Sequence, residues 1–88
     1  MAHLAEAHGL KLEIHHGGSP IMDWANLHVS CAIHNCEFFE VLVPSDGYSY
    51  GLEAYAHPDA AGLVHPPTGP GLGVSIDEAW VRAHAIDV

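Results

Sequence analysis

Between Leu10 and Glu40 the hydrophobic pattern changes period twice around one glycine-rich turn, and few folds accept that order. Leu10, Leu12 and Ile14 alternate with Lys11, Glu13 and His15, which predicts a strand with one covered and one polar face. Gly17, Gly18, Ser19 and Pro20 form the turn, where Ser19 suits a helix N-cap and Pro20 the first helical position. From Ile21 the residues Trp24, Ala25, Leu27, Cys31 and Ala32 keep a helical period towards Ile33, and Asp23 favours the positive end of the helix dipole. His34 and Asn35 close the helix. Cys36 to Val43 then reads as a nearly continuous apolar, buried strand, interrupted by Glu37 and Glu40 and ended by Pro44. In a parallel βαβ unit the two strand ends lie side by side on one rim, where α/β proteins place their chemistry. His15, His16, Glu37 and Glu40 gather at those ends. Strand parity puts His15 on the inward face with Lys11 and Glu13, places His16 in the turn, and gives Glu37 the opposite parity to Glu40.

The flanks are less regular. Met1 to His8 reads as the last turns of a helix with Gly9 as its left-handed terminator, but it opens without a cap, as a truncated element does. Everything after Glu40 reads as a tail that packs elsewhere. It comprises a loop to Gly51, a hairpin from Leu52–Ala56 and Gly62–His65 turning at Pro58-Asp59, and a Pro- and Gly-rich connector from Pro66 to Gly73. Ser75 and Glu78 form a capping box for a short final helix carrying Ile76, Ala79, Trp80 and Ala83 on one face.

An 88-residue chain that is 49% hydrophobic and 15% charged is too apolar to cover its own surface as a small domain, which points to a piece of something larger. Eleven acids against Lys11 and Arg82 give a net charge of −9, which excludes a nucleic-acid binder and disfavours an anionic membrane surface. Nine histidines recover much of that charge near pH ~6, so solubility should depend on pH. Cys31 and Cys36 show no metal or redox spacing and read as two reduced, buried thiols. No apolar run reaches the ~18 residues needed to span a bilayer, and Met1–Gly9 lacks the features of a signal peptide, so the expected location is the cytoplasm.

Three clusters taken together resemble the C-terminal end of the enolase superfamily, in the mandelate racemase and muconate lactonizing branch that includes the acid-sugar dehydratases. They are His15-His16-Gly17-Gly18-Ser19-Pro20, Asp23-Trp24-Ala25-Asn26-Leu27-His28-Val29 and Asn35-Cys36-Glu37-Phe38-Phe39-Glu40. Gly62-Leu63-Val64-His65, Pro70 to Val74 and Ile76-Asp77 resemble that branch's closing segment. The resemblance implies an α/β fold, a (β/α)7β TIM-like barrel with a capping domain. Residues 1–44 would supply the end of helix 6, strand 7, helix 7 and strand 8, and residues 45–88 would return to the capping domain.

The resemblance also implies chemistry. Enzymes of this superfamily remove the proton α to a carboxylate while Mg²⁺ stabilises the enediolate, a use of a Lys or His base with Mg²⁺ that is a known pattern. His15 matches the strand-seven base, and Glu40 matches the strand-eight glutamate that hydrogen-bonds the substrate carboxylate. His16 and Asp23 are the secondary candidates for substrate contact, whereas Glu37 reads as structural and Trp24 and His28 as packing residues. The magnesium ligands of the family stand on strands three to five, outside this chain. The implied partners are a small carboxylate such as a sugar acid, the rest of the barrel and capping domain, and further copies of the parent enzyme. Dehydration, racemisation and cycloisomerisation all stay open, and so does a non-catalytic module that keeps the barrel motifs.

Overall fold

The computed structural model of the chain describes residues 1–15 and 17–86. Among them lie three α-helices, α1 (Ala2–Ala7), α2 (Pro20–Ala32) and α3 (Glu78–Ala83), with a 3₁₀ turn at Ser45–Gly47. Helix α1 buries no residue and has no side-chain cap. Its end is well formed: Gly9 takes φ +66°, its amide reaches Glu6 O at 2.9 Å, and the Leu10 amide reaches Ala5 O at 2.9 Å. That pair of bonds is a Schellman closure, which a residue with a Cβ would strain.

Helix α2 begins where the turn predicts, with Ser19 at the N-cap, Pro20 in the first turn and Asp23 near the positive end of the dipole. The Ser19 side chain makes no cap bond; its carbonyl instead accepts from Met22 N at 2.8 Å. The helix turns Trp24 and Leu27 inward onto Leu52 and Ala56, and Phe39, Tyr55, Val64 and Val74 pack around them. The core of the chain therefore lies between α2 and the residues after Glu40. The expectation that those residues pack elsewhere is corrected: Trp24 Nε1 donates to Ala54 O at 3.2 Å, and His28 Nε2 sits 3.1 Å from Leu72 O.

The predicted strands take a different form. Residues 10–15 and 36–43 run extended beside each other, but among the described residues no strand is formed, only an isolated antiparallel bridge from Leu52 to Ile76. The second segment is not buried either: Phe38 is 73% and Val43 81% exposed. A strand covered on both faces needs a sheet neighbour and helices over it, and Phe38 and Val43 lie outside the cover that α2 and the tail give Phe39. The period-two pattern of the first segment survives from Lys11 on, with Leu12 and Ile14 half-buried and Lys11, Glu13 and His15 exposed, whereas Leu10, expected on the covered face, is exposed. Cys31 is exposed and Cys36 half-buried, so the expectation of two buried thiols fails for want of the same cover.

The tail departs from its expected hairpin because one carboxylate takes the amides a ladder needs. Asp59 Oδ1 accepts from Ala61 N at 2.8 Å and Leu63 N at 2.9 Å, and Oδ2 lies 2.8 Å from His65 Nε2. The His65 contact, followed by the Leu63 amide, holds the Asp59 carboxyl below its usual range. Leu52 pairs with Ile76 instead, flanked by Glu53 N to Ser75 O at 3.0 Å and Asp77 N to Gly51 O at 3.1 Å. That pairing keeps Ser75 extended, so the final helix starts later than the capping box predicts. Asp77 is the N-cap and accepts from Trp80 N at 2.9 Å, while Glu78 pairs with Arg82 along α3.

The connector between these parts turns on Gly73, at φ +73°, where an added Cβ would sit 2.9 Å from Pro67 Cβ. Gly73→Ala combines a left-handed backbone with a steric overlap, and should destabilise the fold by roughly 2 kcal/mol or more. Urea unfolding followed by circular dichroism checks this; an unchanged midpoint would show that the connector is free to rearrange.

Candidate active site

The site is assembled from its base upward. Asn35, 6% exposed, sits where α1 and both extended segments meet. Its Nδ2 donates to Leu10 O at 3.0 Å and to Ala2 O at 3.2 Å, and its carbonyl accepts from Leu12 N at 2.9 Å. The side-chain amide thereby satisfies carbonyls of α1 and of the first segment, while the bond from Leu12 N falls on the backbone carbonyl of Asn35. One step up, Lys11 forms an ion pair with Glu37 across the two segments.

Above that, the Glu13 carboxylate accepts from Phe38 N at 2.9 Å, Glu37 N at 3.3 Å and Cys36 Sγ at 3.4 Å. Successive amides of a regular strand point to opposite edges, so two of them reach one carboxylate only where the chain leaves the pleat. This contact is the local reason that residues 36–43 are extended without being a ladder strand. The Phe38 amide holds the Glu13 carboxyl below its usual range; desolvation is the next largest effect and opposes it, and the Cys36 thiol, the Glu37 amide and the Lys11 charge add to the lowering.

Between the segments opens a cleft of about 270 Å³ lined by Glu13, Ile14, His15, Phe38, Phe39 and Glu40. His15 and Glu40, the two residues matched to base and carboxylate contact, thus share one small cavity with apolar walls. Such a space fits a small organic acid held by a few polar groups. His16 lies outside the described residues. Asp23 lines a different, much smaller recess with Val41, Ser45, Tyr48 and His57, away from His15. Glu37 faces Lys11 and is absent from the cleft lining, and Trp24 and His28 fasten α2 to the tail.

Glu13 and Asn35 are the residues that sequence reasoning passed over. Glu13 was legible as a face-mate of His15, but its reach to backbone amides on a segment 25 residues later was not. Asn35 read as a helix terminator, and nothing local marks it as the joint of three elements.

Among the described residues no three His, Cys, Asp or Glu side chains gather to hold a metal ion. The described residues therefore do not fit a magnesium site. No helix among the described residues is long and apolar enough to cross a membrane.

A family model described as enolase C-terminal domain-like matches residues 1–80. The chain belongs to that family. This enolase-type segment also superposes on the crystal structure of a Pseudovibrio sp. protein assigned as a mandelate racemase/muconate lactonizing enzyme, with a TM-score of 0.87 and 35% identity. The match covers 97% of the present chain and 23% of that one, so the chain spans less than a quarter of its structural relative. Family and fold agree on the mandelate racemase/muconate lactonizing branch and fit part of a TIM-barrel enzyme.

Proposed function

We propose that this chain is the C-terminal part of a Mg²⁺-dependent enolase-superfamily enzyme that abstracts the proton α to a carboxylate, with a sugar acid as substrate and dehydration as the reaction. The observation that carries this reading is the shared cleft of His15 and Glu40 in a chain whose family is enolase-like. His15 acts as the general base: its neutral imidazole takes the α-proton, and in dehydration the same ring then protonates the departing hydroxyl. Glu40 engages the substrate carboxylate as a donor, which requires the two carboxyls to share a proton, because two carboxylates side by side repel. Phe38 and Phe39 supply apolar walls that keep bulk water from competing for these bonds. Mg²⁺ would be held by residues outside this chain and would neutralise charge developing on the substrate carboxylate.

The same two residues serve a racemase or a cycloisomerase, so product analysis separates the reactions. The chain is to be joined to the remaining barrel and capping segments and offered a panel of sugar acids in D₂O with Mg²⁺. Dehydration leaves a 2-keto acid, whereas racemisation returns the substrate carrying deuterium at its α-carbon. Glu40→Ala should lower kcat/KM about 10–100-fold by removing a hydrogen bond to a charged group. Glu40→Gln should recover part of that loss, because an amide N–H donates to a carboxylate without a shared proton. Wild-type kinetics in Glu40→Ala would remove Glu40 from the site.

The exposed apolar surface supports a wider assembly. Leu10, Phe38 and Val43 are left open on the side where neighbouring barrel strands would lie. Residues 1–44 complete the barrel, residues 45–88 contact the capping domain, and the parent enzyme is a cytoplasmic homo-oligomer.

A further inference from the structure

The His15–Glu40 cleft has an unusual construction at its mid-height. Only one backbone hydrogen bond, Leu12 N to Asn35 O, joins its two walls among the described residues, and it lies at the base. Above it side chains also join the walls, Lys11 to Glu37 and Glu13 to the 36–38 backbone and thiol. Glu13 stands two residues before His15 on the same face of the first segment. The amide it grips most closely, Phe38 N at 2.9 Å, stands two residues before Glu40 on the second. Two residues of extended chain span only ~6–7 Å, so each functional side chain sits one pleat beyond the clamp.

We propose that Glu13 is the positioning residue of this site, its carboxylate setting the separation of His15 and Glu40. The inference rests on the function proposed above and adds to it a residue that acts through the backbone of the second segment rather than on the reacting atoms. Glu13 suits the task. A carboxylate accepts several bonds at once, and three donors from one short segment fix that segment in height and direction. Lys11 supports the same alignment from below, pairing with Glu37 rather than competing with the backbone amides for the Glu13 carboxylate. The consequence is kinetic. If the clamp is released, His15 and the carboxylate contact lose register, and a displacement of about 1 Å at a reacting group is enough to cost on the order of 10²-fold in rate.

The test uses the assembled enzyme, with α-proton exchange in D₂O as the assay. His15→Asn is the control for the underlying reading: if exchange survives it, the proposed function falls whatever Glu13 does. With that control silent, Glu13→Ala should lower kcat about tenfold or more while KM stays within about threefold, because substrate is still held by Glu40 and by residues outside this chain. Glu13→Gln, nearly isosteric with one acceptor oxygen left for Phe38 N, should restore part of kcat. Hydrogen exchange at the Phe38 and Glu37 amides should accelerate in both variants. A merely structural Glu13 would lower the melting temperature and leave kcat of the folded protein alone. If Glu13→Ala does not fold, Glu13→Gln decides by itself. A folded Glu13→Gln enzyme with wild-type kcat, or with unchanged protection of the Phe38 amide, overturns the proposal.

Discussion

Replacing His15 by Asn should reduce α-proton exchange by about 10²–10⁴-fold, the range that a positioned general base contributes. Asparagine keeps a polar side chain of similar reach but cannot take up the proton. The loss should therefore fall on kcat, with the affinity for an unreactive carboxylate preserved. Deuterium uptake measured by proton NMR reports the chemical step itself, and isothermal titration with the unreactive acid reports binding. Two results would contradict the assignment. Exchange at the wild-type rate would move the base away from His15, and loss of binding together with exchange would make His15 a substrate anchor. His15 belongs to an exposed face, so the substitution removes no core contact, and a stability change is not expected to blur the result.

The second large effect concerns stability. Trp24 is 7% exposed, packs on Leu52 and Ala56, and donates to Ala54 O, so Trp24→Ala empties the middle of the core and leaves a carbonyl without its donor. The expected loss is roughly 3–5 kcal/mol, most of what a domain of this size has to give. Trp24→Phe keeps an aromatic ring and loses the hydrogen bond, for about 1–2 kcal/mol. Urea unfolding of the three proteins orders them. A Trp24→Ala cost below about 1 kcal/mol would mean that the core is not centred where α2 meets the tail.

Local rules carried the reading of the helical parts. Gly9 ends α1 in the left-handed region, and Pro20 opens α2 as the turn chemistry demands. The alternation also survives at residues 11–15, with Leu12 and Ile14 half-buried and an exposed face carrying His15. These features are set by near neighbours in the chain, so a sequence displays them. The failures share the opposite cause. Cys36–Val43 has the composition of a strand buried on both faces, but burial is a property of the neighbours, and among the described residues none covers Phe38 or Val43. Asp59 gathers the amides of its own turn, and the Leu52–Ile76 pairing shifts the start of α3 from Ser75 to Asp77. In both places a side chain or a distant segment outcompeted the local motif. For the site, the positions of His15 and Glu40 at the segment ends were legible. The parts that hold them, Glu13 and Asn35, were not, because their partners are backbone groups of distant segments.

Phe39 packs against the α2–tail core and also lines the His15–Glu40 cleft, and among the described residues no other side chain does both. The rest of the cleft lining and the rest of the core share no member, so substitutions in the one scarcely disturb the other. Over evolutionary time this leaves residues such as Ile14 and Phe38 free to drift towards new substrates without eroding the scaffold, while position 39 answers to both demands. Lineages that change substrate should therefore vary at 14 and 38 first, and exchange Phe39 only for another large apolar residue.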